Sequence, residues 1–356
     1  MDTKVLALYL PQFHQIPEND EWWGEGFTEW NVVKKAKKIC KYSNQPRVPL
    51  NGDYYDLSKV ENIEKQAKLA KSYNVDGFVI YSYYSNGKLL LEKPAQLLLG
   101  NKSINIEYCF SWANHDWRRN WFQYNKELLR AQEYASCDEQ ILEHFNYLLP
   151  YFKDERYIKI NNKPVLFIYN YASIPNIERY IEVWNKAAVN NGFSGMFFVQ
   201  TLGAQTLEWK KDLFEACFDF EPSYTSLNMH FACGINSIKR RWSKIYRPKS
   251  VINSFNYKKV CRRMLKRVYN DPYHCYGIFT EWDNTPRHEI NGTVYKKFSL
   301  KEFEKQVKGQ LQKAKNSGCP FVVIDAWNEW GEGAFLEPDE SLGYGKLEIL
   351  KKYNAK

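Results

Sequence analysis

Residues 320–339 read PFVVIDAWNEWGEGAFLEPD. The unbroken apolar run at 321–324 is typical of a strand that is buried on both faces, and it ends abruptly in polar and aromatic residues. Glu329 and Glu332 stand three residues apart with Gly331 between them and Gly333 after them, so a turn at this point would bring both carboxylates to one side. The stretch therefore predicts a core strand that delivers two carboxylates to one place.

The chemistry that suits such a pair is cleavage or transfer of glycosidic bonds. One carboxyl group is kept protonated as the general acid and the other is ionised as base or nucleophile, while nearby indoles stack on sugar faces. Trp327 and Trp330 supply those indoles. The alternative is a surface turn with two solvated glutamates, although such turns seldom contain two tryptophans.

Apolar runs recur along the whole chain, with segments of helical periodicity between many of them. Eight is the number of strands that closes a (β/α)8 TIM barrel, so the fold class expected is α/β, as a single domain over residues 1–356 with long βα loops. The predicted strands are 5–9, 77–83, 106–112, 164–170, 195–201, 217–221, 276–281 and 321–326. The predicted helices are 59–73, 138–152, 176–190, 255–269 and 300–316.

Active sites of such barrels lie at the carboxyl ends of the strands, and almost every predicted strand ends in aromatic, amide or carboxylate groups. That lining suits a polyhydroxylated ligand. The candidate catalytic residues are Glu329 and Glu332. The candidate substrate-binding residues at strand ends are Tyr9, Gln12, His14, Tyr81, Tyr83, Trp112, Asn114, His115, Glu221, Tyr224, Trp282, Asn328 and Trp330.

The long connection 12–56 adds Trp30 to the candidates. Connections this long inside a compact domain are usually functional, and this one contains EWWGEGFTEW at 21–30. Its tryptophans can bind sugar or can merely close the barrel mouth. His14 and His115 likewise can hydrogen-bond a substrate or serve as structural partners.

Composition narrows the class of protein. Aromatic residues make up 17% of the 356 residues, with 12 Trp and 26 Tyr, which is high for a globular chain and fits an aromatic carbohydrate cleft. No Cys-x-x-Cys pair or metal-type histidine spacing occurs, so we expect neither a metal nor a cofactor. The N-terminal apolar run is too short for a signal peptide, which favours a cytoplasmic protein with reduced thiols.

The net charge of +9 is concentrated between Lys239 and Arg267. Such a stretch can attract anionic lipid headgroups at the inner membrane face, a lipid-diphosphate carrier of the glycan, or an acidic glycan. The alternative is a solvated helix face. Nucleic acid is disfavoured because the stretch carries no recognisable binding motif.

Several motifs, in order along nearly the whole chain, resemble the WbsX family. They are LYLPQFHQIPEND at 8–20, WWGEGFTEW at 22–30, QPR at 45–47, WAN at 112–114, WNEWGEG at 327–333 and LEPD at 336–339. That family is described as glycosyltransferase-like, occurs with surface-polysaccharide genes and is related to glycoside hydrolase family 99. The resemblance implies a (β/α)8 barrel, in agreement with the strand count.

Family 99 enzymes are retaining endo-α-mannosidases whose route passes through a 1,2-anhydro sugar. By resemblance, Glu329 is the base that deprotonates the 2-hydroxyl, and Glu332 is the acid that protonates the departing oxygen and then activates water or an acceptor. The family usually has an acidic residue after Trp-Ala-Asn, where this chain has His115 and then Asp116. The sugar recognised at that subsite is therefore left open.

Three functions are compatible with these residues. The first is an enzyme that cleaves or transfers glycosidic bonds of an oligosaccharide or polysaccharide in O-antigen or other surface-polysaccharide metabolism. The second is a nucleotide-sugar-dependent glycosyltransferase of lipopolysaccharide or capsule biosynthesis, which the absence of an Asp-x-Asp motif disfavours. The third is a non-catalytic glycan-binding barrel, which would have no need of Glu329 and Glu332.

Overall fold

The computed structural model describes residues 2–119, 127–228 and 252–355. Nine parallel strand segments form one twisted sheet in the order β7-β6-β5-β4-β3-β2-β1-β9-β8. The segments are β1 Lys4–Tyr9, β2 Gly77–Ser85, β3 Glu107–Trp112, β4 Lys163–Ile168, β5 Phe197–Leu202, β6 Ala216–Asp219, β7 His274–Cys275, β8 Gly277–Phe279 and β9 Phe321–Asp325. The sequence prediction of an α/β barrel with parallel strands is confirmed.

The two edge segments of this sheet are consecutive in the chain and close the ring. β7 pairs with β6, β8 pairs with β9, and only Tyr276 lies between them. The carbonyl oxygen of Tyr276 still accepts a hydrogen bond from the Val323 N–H at 3.1 Å. The strand predicted at 276–281 is thus two short segments, 274–275 and 277–279, which together fill one position of the barrel.

Helices cover the outside of the barrel. The described helices are α1 Pro17–Trp23, α2 Glu29–Lys35, α3 Val60–Ser72, α4 Lys93–Gly100, α5 Asp138–Phe152, α6 Ile177–Asn190, α7 Ser223–Leu227, α8 Tyr257–Lys266, α9 Thr285–His288, α10 Leu300–Ser317 and α11 Gly345–Tyr353. α10 shows how the sequence sets the bounds: the Ser299 side chain accepts the Glu302 N–H at its start, and Gly318 ends it with φ 71°.

Short strands lie outside the barrel sheet. Two antiparallel additions pair with barrel strands, namely Lys88–Leu90 with β2 and Lys159–Ile160 with β4. Three separate two-stranded pairs are Trp117–Arg118 with Leu128–Arg130, Asn253–Asn256 with Thr293–Lys296, and Asn328–Glu329 with Ala334–Phe335. The last pair belongs to the loop that follows β9.

Aromatic side chains fill the barrel interior. The ring of Phe167 on β4 lies 5.3 Å from Phe218 on β6 and 5.5 Å from Phe321 on β9, measured between ring centroids. Because β4 and β9 are not neighbours in the sheet, Phe167 reaches Phe321 only across the interior. The barrel is therefore packed with side chains, and the site must lie at one end of it.

Candidate functional site

A cleft of about 370 Å³ opens at the carboxyl ends of the barrel strands. Carboxylates, two arginines and aromatic rings share its surface. Its lining residues are Leu10, Gln12, Trp23, Tyr81, Tyr83, Ala113, His115, Asp116, Trp117, Arg118, Tyr169, Phe220, Ser223, Trp282, Arg287, His288, Asp325, Glu329 and Glu332.

The loop after β9 brings both glutamates into this cleft. Asn328–Glu329 pairs with Ala334–Phe335, and a 3-10 turn at Trp330–Glu332 connects the two short strands. The Asn328 side chain fixes the loop to the end of β1, accepting the Leu10 N–H at 2.7 Å and donating to the Leu10 carbonyl at 2.9 Å. Glu329 and Glu332 therefore stand at the two ends of one turn.

The Arg287 guanidinium connects three carboxylates. It donates to Glu29 at 2.8 Å and to Glu329 at 3.0 Å, and it lies 2.8 Å from Glu332. The Glu29 side chain is fully buried, whereas Glu332 is 20% exposed and Glu329 is 9% exposed. The planar fork of an arginine suits such bridging, because it presents several N–H groups in fixed directions.

Asp283 positions Arg287 relative to the glutamate loop. Its carboxylate accepts from the Thr285 hydroxyl at 2.6 Å and from the Ser43 hydroxyl at 2.7 Å, which fixes the start of α9. Its backbone N–H donates to the Glu332 carbonyl at 2.7 Å. One buried residue thus links the helix that carries Arg287 to the turn that carries Glu332.

The clustering of carboxyl groups changes their protonation. Burial raises the pKa of Glu329 to about 8; Arg287 opposes this rise, and Glu332 and Glu29 add to it. Burial likewise raises the pKa of Glu29 and of Asp325. One guanidinium cannot neutralise all these groups, so at neutral pH the empty cleft holds protons on part of them.

Aromatic side chains form the walls of the cleft. The Tyr83 ring lies 5.0 Å from Trp117, and the Tyr169 ring lies 5.8 Å from His115. Burial lowers the pKa of His115, so its ring is neutral at pH 7 and can both donate and accept hydrogen bonds. Rings with polar edges suit the apolar faces and hydroxyl groups of a sugar.

Seven of the residues singled out from the sequence lie in this cleft. They are Gln12, Tyr81, Tyr83, His115, Trp282, Glu329 and Glu332. Gln12 also donates to the Tyr83 hydroxyl at 3.4 Å. The structure therefore brings the two candidate catalytic residues together with candidate binding residues from four separate strand ends.

Strand geometry corrects the expectation for Tyr9 and Trp112, which do not line the cleft. Tyr9 donates to Gln66 of α3 at 2.6 Å, and Trp112 packs against His144 of α5 with ring centroids 4.8 Å apart. Each is the last residue of its strand and points outward to the helices, because successive side chains alternate between the two faces. Asn114 is also interior: its amide donates to the Asn170 carbonyl at 2.7 Å.

Four further expectations are corrected by hydrogen bonds or contacts that hold the side chains elsewhere. Trp330 donates to Glu337 at 2.6 Å on the side of the loop away from the cleft, and Trp30 donates to the Tyr55 carbonyl at 2.7 Å. The carboxylate of Glu221 pairs with Arg267, whose guanidinium lies 5.0 Å from the Tyr224 ring. These contacts leave none of the four facing the cleft.

The remaining two candidates are also interior. Asn328 uses its amide to hold Leu10, as described above, and is fully buried. His14 is 3% exposed, and burial lowers its pKa. Both support the loops around the cleft and do not line it.

Sequence reasoning missed several residues of the site. Arg287 follows no strand end with a distinctive motif, and Glu29 lies within a tryptophan-rich loop where the indoles drew attention first. Asp325 and Trp117 also line the cleft. The signal that could have found Arg287 is electrostatic, since clustered buried carboxylates need a cation.

Residues 2–119, 127–228 and 252–355 contain no group of three His, Cys, Asp or Glu side chains arranged to hold a metal ion. No helix within the same ranges is long and apolar enough to cross a membrane. Part of the basic stretch that begins at Lys239 lies outside the described residues, which resume at 252.

Comparison with known structures relates the fold to glycoside hydrolases. Two structures of the GH99 endo-alpha-mannosidase from Bacteroides thetaiotaomicron match with TM-scores of 0.57 and 0.58 at 15% and 14% identity. The matches cover 99% of this chain and 96% and 97% of those chains. At this identity, the similarity shows a shared fold.

Sequence comparison identifies the family. The chain is 31% identical over 357 residues to the uncharacterized protein WxcX of Xanthomonas campestris pv. campestris (strain B100); the match covers 99% of this chain and 50% of that protein. The chain thus spans about half the length of its curated relatives. The family described as Glycosyltransferase WbsX matches residues 5–350. The chain belongs to this WbsX family of carbohydrate-active enzymes.

Proposed function

We propose that this protein cleaves or transfers α-glycosidic bonds of a surface polysaccharide such as an O-antigen, in the manner of a retaining endo-α-mannosidase. The observation that supports this most strongly is the pair Glu329 and Glu332, held by one guanidinium at the carboxyl ends of the barrel strands. Residues 1–356 would form one catalytic barrel. A glycan-binding protein would gain nothing from placing these two carboxylates together in a buried cleft.

The proposed reaction uses the two carboxyl groups in turn. One carboxylate takes the proton of the sugar 2-hydroxyl while O2 attacks C1, and the other carboxyl group protonates the departing oxygen as the C1–O bond breaks. In the second step the group that gave its proton takes one from water or an acceptor hydroxyl, whose oxygen bonds to C1 as the C1–O2 bond breaks. The first group then returns its proton to O2, so both carboxyl groups end as they began.

The roles of base and acid can be assigned to Glu329 and Glu332 in two ways. The resemblance to family 99 makes Glu329 the base and Glu332 the acid. In the empty cleft, however, the raised pKa of Glu329, about 8, keeps a proton on that residue at neutral pH, as a general acid requires. We retain Glu329 as the base, which requires that Glu329 give up its proton and that Glu332 hold one when the substrate is bound.

Leaving-group dependence distinguishes the two assignments. An aryl glycoside with a strongly acidic phenol needs little protonation of the departing oxygen. We expect Glu332→Gln to keep cleavage of a dinitrophenyl α-glycoside and to lose cleavage of a natural disaccharide, while Glu329→Gln loses both. The reverse pattern would assign the acid to Glu329.

Product analysis tests the function itself. The substrates are α-mannan-type and O-antigen-type oligosaccharides, incubated without a nucleotide sugar. Wild type should cleave the chains or exchange their ends, and Glu329→Gln and Glu332→Gln should each lower the rate by roughly 100-fold or more. Glu107→Gln is the matched control, since Glu107 pairs with Lys4 at the opposite end of the barrel.

The same experiment addresses the alternative of a nucleotide-sugar-dependent transferase. Activity that begins only after a nucleotide sugar is added would replace the proposed reaction with that transfer. A third outcome is that no product forms with or without a nucleotide sugar, while Glu329→Gln and Glu332→Gln bind glycan as well as wild type does. That outcome would identify a non-catalytic glycan-binding protein.

The same proposal includes two partners, a lipid-linked substrate glycan and the surface of a membrane. The substrate glycan would be linked to a lipid diphosphate, and the protein would act in the cytoplasm, peripherally at the inner membrane face. Support comes from the basic residues of α8, of which Lys259, Arg262, Arg263 and Lys266 are exposed. No nucleic acid partner is proposed.

A further inference from the structure

Asp325 occupies the floor of the cleft, and the reaction described above gives it no task. It is the last residue of β9, and its backbone carbonyl accepts from the Thr280 N–H at 3.2 Å. The side chain lines the cleft although only 3% of the residue is exposed. It is therefore a deeply placed carboxyl group that a bound sugar can reach.

One oxygen of this carboxyl group is left without a hydrogen bond in the part of the chain that the structure describes. Oδ2 of Asp325 is buried and forms no hydrogen bond with any described residue. The nearest cation is used elsewhere, because Arg287 binds Glu29, Glu329 and Glu332. A buried polar atom without a hydrogen-bond partner is energetically unfavourable, so a ligand that supplies the partner binds more tightly.

The charged and titratable groups around Asp325 decide its protonation. Burial raises its pKa well above the ordinary value, Glu329 and Glu332 raise it further, and Arg287 alone opposes them. Tyr81 and Tyr169 also face it; burial raises the pKa of both, with Asp325 adding to the rise. Burial and these neighbours favour the protonated form of the Asp325 carboxyl group, which has an O–H to donate.

We propose that Asp325 is a specificity-determining residue whose carboxyl group donates a hydrogen bond to a hydroxyl group of the sugar bound beside Glu329 and Glu332. The proposal rests on the proposed function for the place of the reacting sugar. It names the substrate class more closely: the sugar in this position is uncharged and carries a free hydroxyl group toward β9.

Charge in the cleft supports an uncharged sugar. A carboxylate or phosphate on the sugar at this position would face Asp325, Glu329 and Glu332, and the Arg287 guanidinium beside them already binds Glu29, Glu329 and Glu332. These carboxyl groups already share too little positive charge, so a further anion would be repelled by those that remain ionised or would force them to take up more protons. Uronic acids and phosphorylated sugars are therefore excluded from the floor of the cleft.

Binding measurements on two variants test this inference. Asp325→Asn keeps the shape and an N–H donor but has no ionisable group, whereas Asp325→Ala removes the donor. The probes are methyl α-mannoside, its 3-, 4- and 6-deoxy analogues and methyl α-mannuronoside, titrated by ligand-observed NMR. Asp212→Asn, an exposed surface change, is the control, and thermal unfolding verifies that each variant is folded.

The expected pattern links one hydroxyl group to Asp325. Asp325→Ala should weaken binding of the parent glycoside roughly tenfold, whereas the affinity of Asp325→Asn should stay within about threefold of wild type. Wild type should bind one of the deoxy analogues more weakly than the parent glycoside, and Asp325→Ala should abolish that difference in affinity. The mannuronoside should bind none of the proteins measurably. Equal weakening by both variants, unchanged deoxy penalties, or no binding of any neutral glycoside to wild type would overturn the proposal.

Because binding is measured, failure of this inference differs from failure of the proposed function. A protein that binds the neutral glycosides through Asp325 but cleaves no oligosaccharide would refute the reaction and keep the specificity role. A second readout is infrared difference spectroscopy at neutral pH. Wild type should show the C=O stretch of a protonated carboxyl group that Asp325→Asn lacks, and its absence would contradict the donor role.

Discussion

At the scale of single residues, the electrostatics of the cleft depend on Arg287. Its positive charge opposes the rise in the pKa of Glu329, so removing it should move that pKa further upward. We expect Arg287→Met to shift the pH–rate profile to higher pH and to lower kcat by roughly 100-fold. Arg287→Lys should also lose most activity, since an ammonium group cannot bridge three carboxylates.

The matched control for Arg287 is Arg118→Lys. Arg118 also lines the cleft but pairs with Asp116 at 2.6 Å, and 43% of its side chain is exposed. We expect less than a tenfold change from this substitution, because exposed ion pairs contribute little. Unaltered pH dependence in Arg287→Met would show that the guanidinium does not control the protonation of the carboxyl pair.

Glu329 should also make the fold sensitive to pH. Its folded-state pKa, about 8, lies above the ordinary 4.5, so folding takes up a proton. The stability linked to Glu329 is full below about pH 4.5 and is lost as pH rises through about 8. Glu329→Gln should therefore raise the free energy of unfolding at pH 9 by roughly 1–3 kcal/mol and change it little at pH 4. Denaturant unfolding measures both; equal effects at the two pH values would contradict the shift.

The sequence correctly indicated which residues lie at the ends of strands, but it was less successful for the directions in which their side chains point. Glu329, Glu332, Tyr81 and Tyr83 reach the cleft, but Trp112 turns to the helices although its strand was placed correctly. Strand ends are visible as the limits of apolar runs, whereas orientation depends on register within a strand that is buried on both faces. In such strands both faces are apolar, so alternation gives no signal.

At the scale of elements, the turn Trp330–Glu332 depends on a glycine. A Cβ at Gly331 would lie 1.9 Å from Oε1 of Glu29 and 2.8 Å from Nε of Arg287. Gly331→Ala should therefore displace the Glu29–Arg287 pair, lower kcat at least tenfold and cost roughly 1–3 kcal/mol of stability. Gly100→Ala is the control, because a Cβ there meets no atom within 4 Å. Activity and thermal unfolding report the two effects.

A second set of motif residues lies outside the cleft and joins elements. Arg47 contacts Glu281 at 2.5 Å and Asp339 at 3.8 Å, and Lys346 of α11 lies 4.0 Å from Glu281. All four side chains are nearly fully buried. The resemblance that included residues 45–47 and 336–339 thus partly reflects a charged cluster that fixes loops around the barrel. A motif by itself does not separate such a role from substrate binding.

Breaking this cluster should lower the free energy of unfolding and leave the catalytic activity of the folded protein unchanged. Arg47→Met leaves Glu281 and Asp339 buried with one cation, Lys346, so we expect a loss of roughly 3–5 kcal/mol. Lys186→Met, which breaks an exposed pair with Glu182, should cost under about 0.5 kcal/mol. Denaturant unfolding compares the two. A loss for Arg47→Met no larger than that of the control would show that the buried pair adds nothing.

At the scale of the whole molecule, the barrel could be predicted because each of its strands is an apolar run separated from the next. The interruption of the strand at Tyr276 and the helices α1 and α2 in the long first connection could not, since they depend on contacts between elements that are distant in the sequence. Charge is also distributed unevenly: the chain carries +9, yet the cleft is lined by four acidic residues, Asp116, Asp325, Glu329 and Glu332. The positive charge must lie on the outside.

α8 carries part of that outer charge on one face. Tyr257, Val260, Cys261 and Met264 are buried, and the opposite face exposes Lys259, Arg262, Arg263 and Lys266. A cation near an anionic bilayer contributes about 1 kcal/mol, so four together give measurable attraction that falls with salt. A solvated helix face of the same composition would show no preference among lipids.

Vesicle sedimentation separates these alternatives. We expect binding to phosphatidylglycerol vesicles at low salt, with little binding to phosphatidylcholine, and loss of most of it when the four exposed cations of α8 become glutamine. The control changes four lysines on or beside α3 to glutamine, which alters the net charge equally: Lys59, Lys65, Lys68 and Lys71. Equal loss in both variants would mean that total charge alone governs the attraction. Loss confined to the α8 variant would place the membrane contact on that helix and give the acidic cleft a defined orientation toward a lipid-linked glycan.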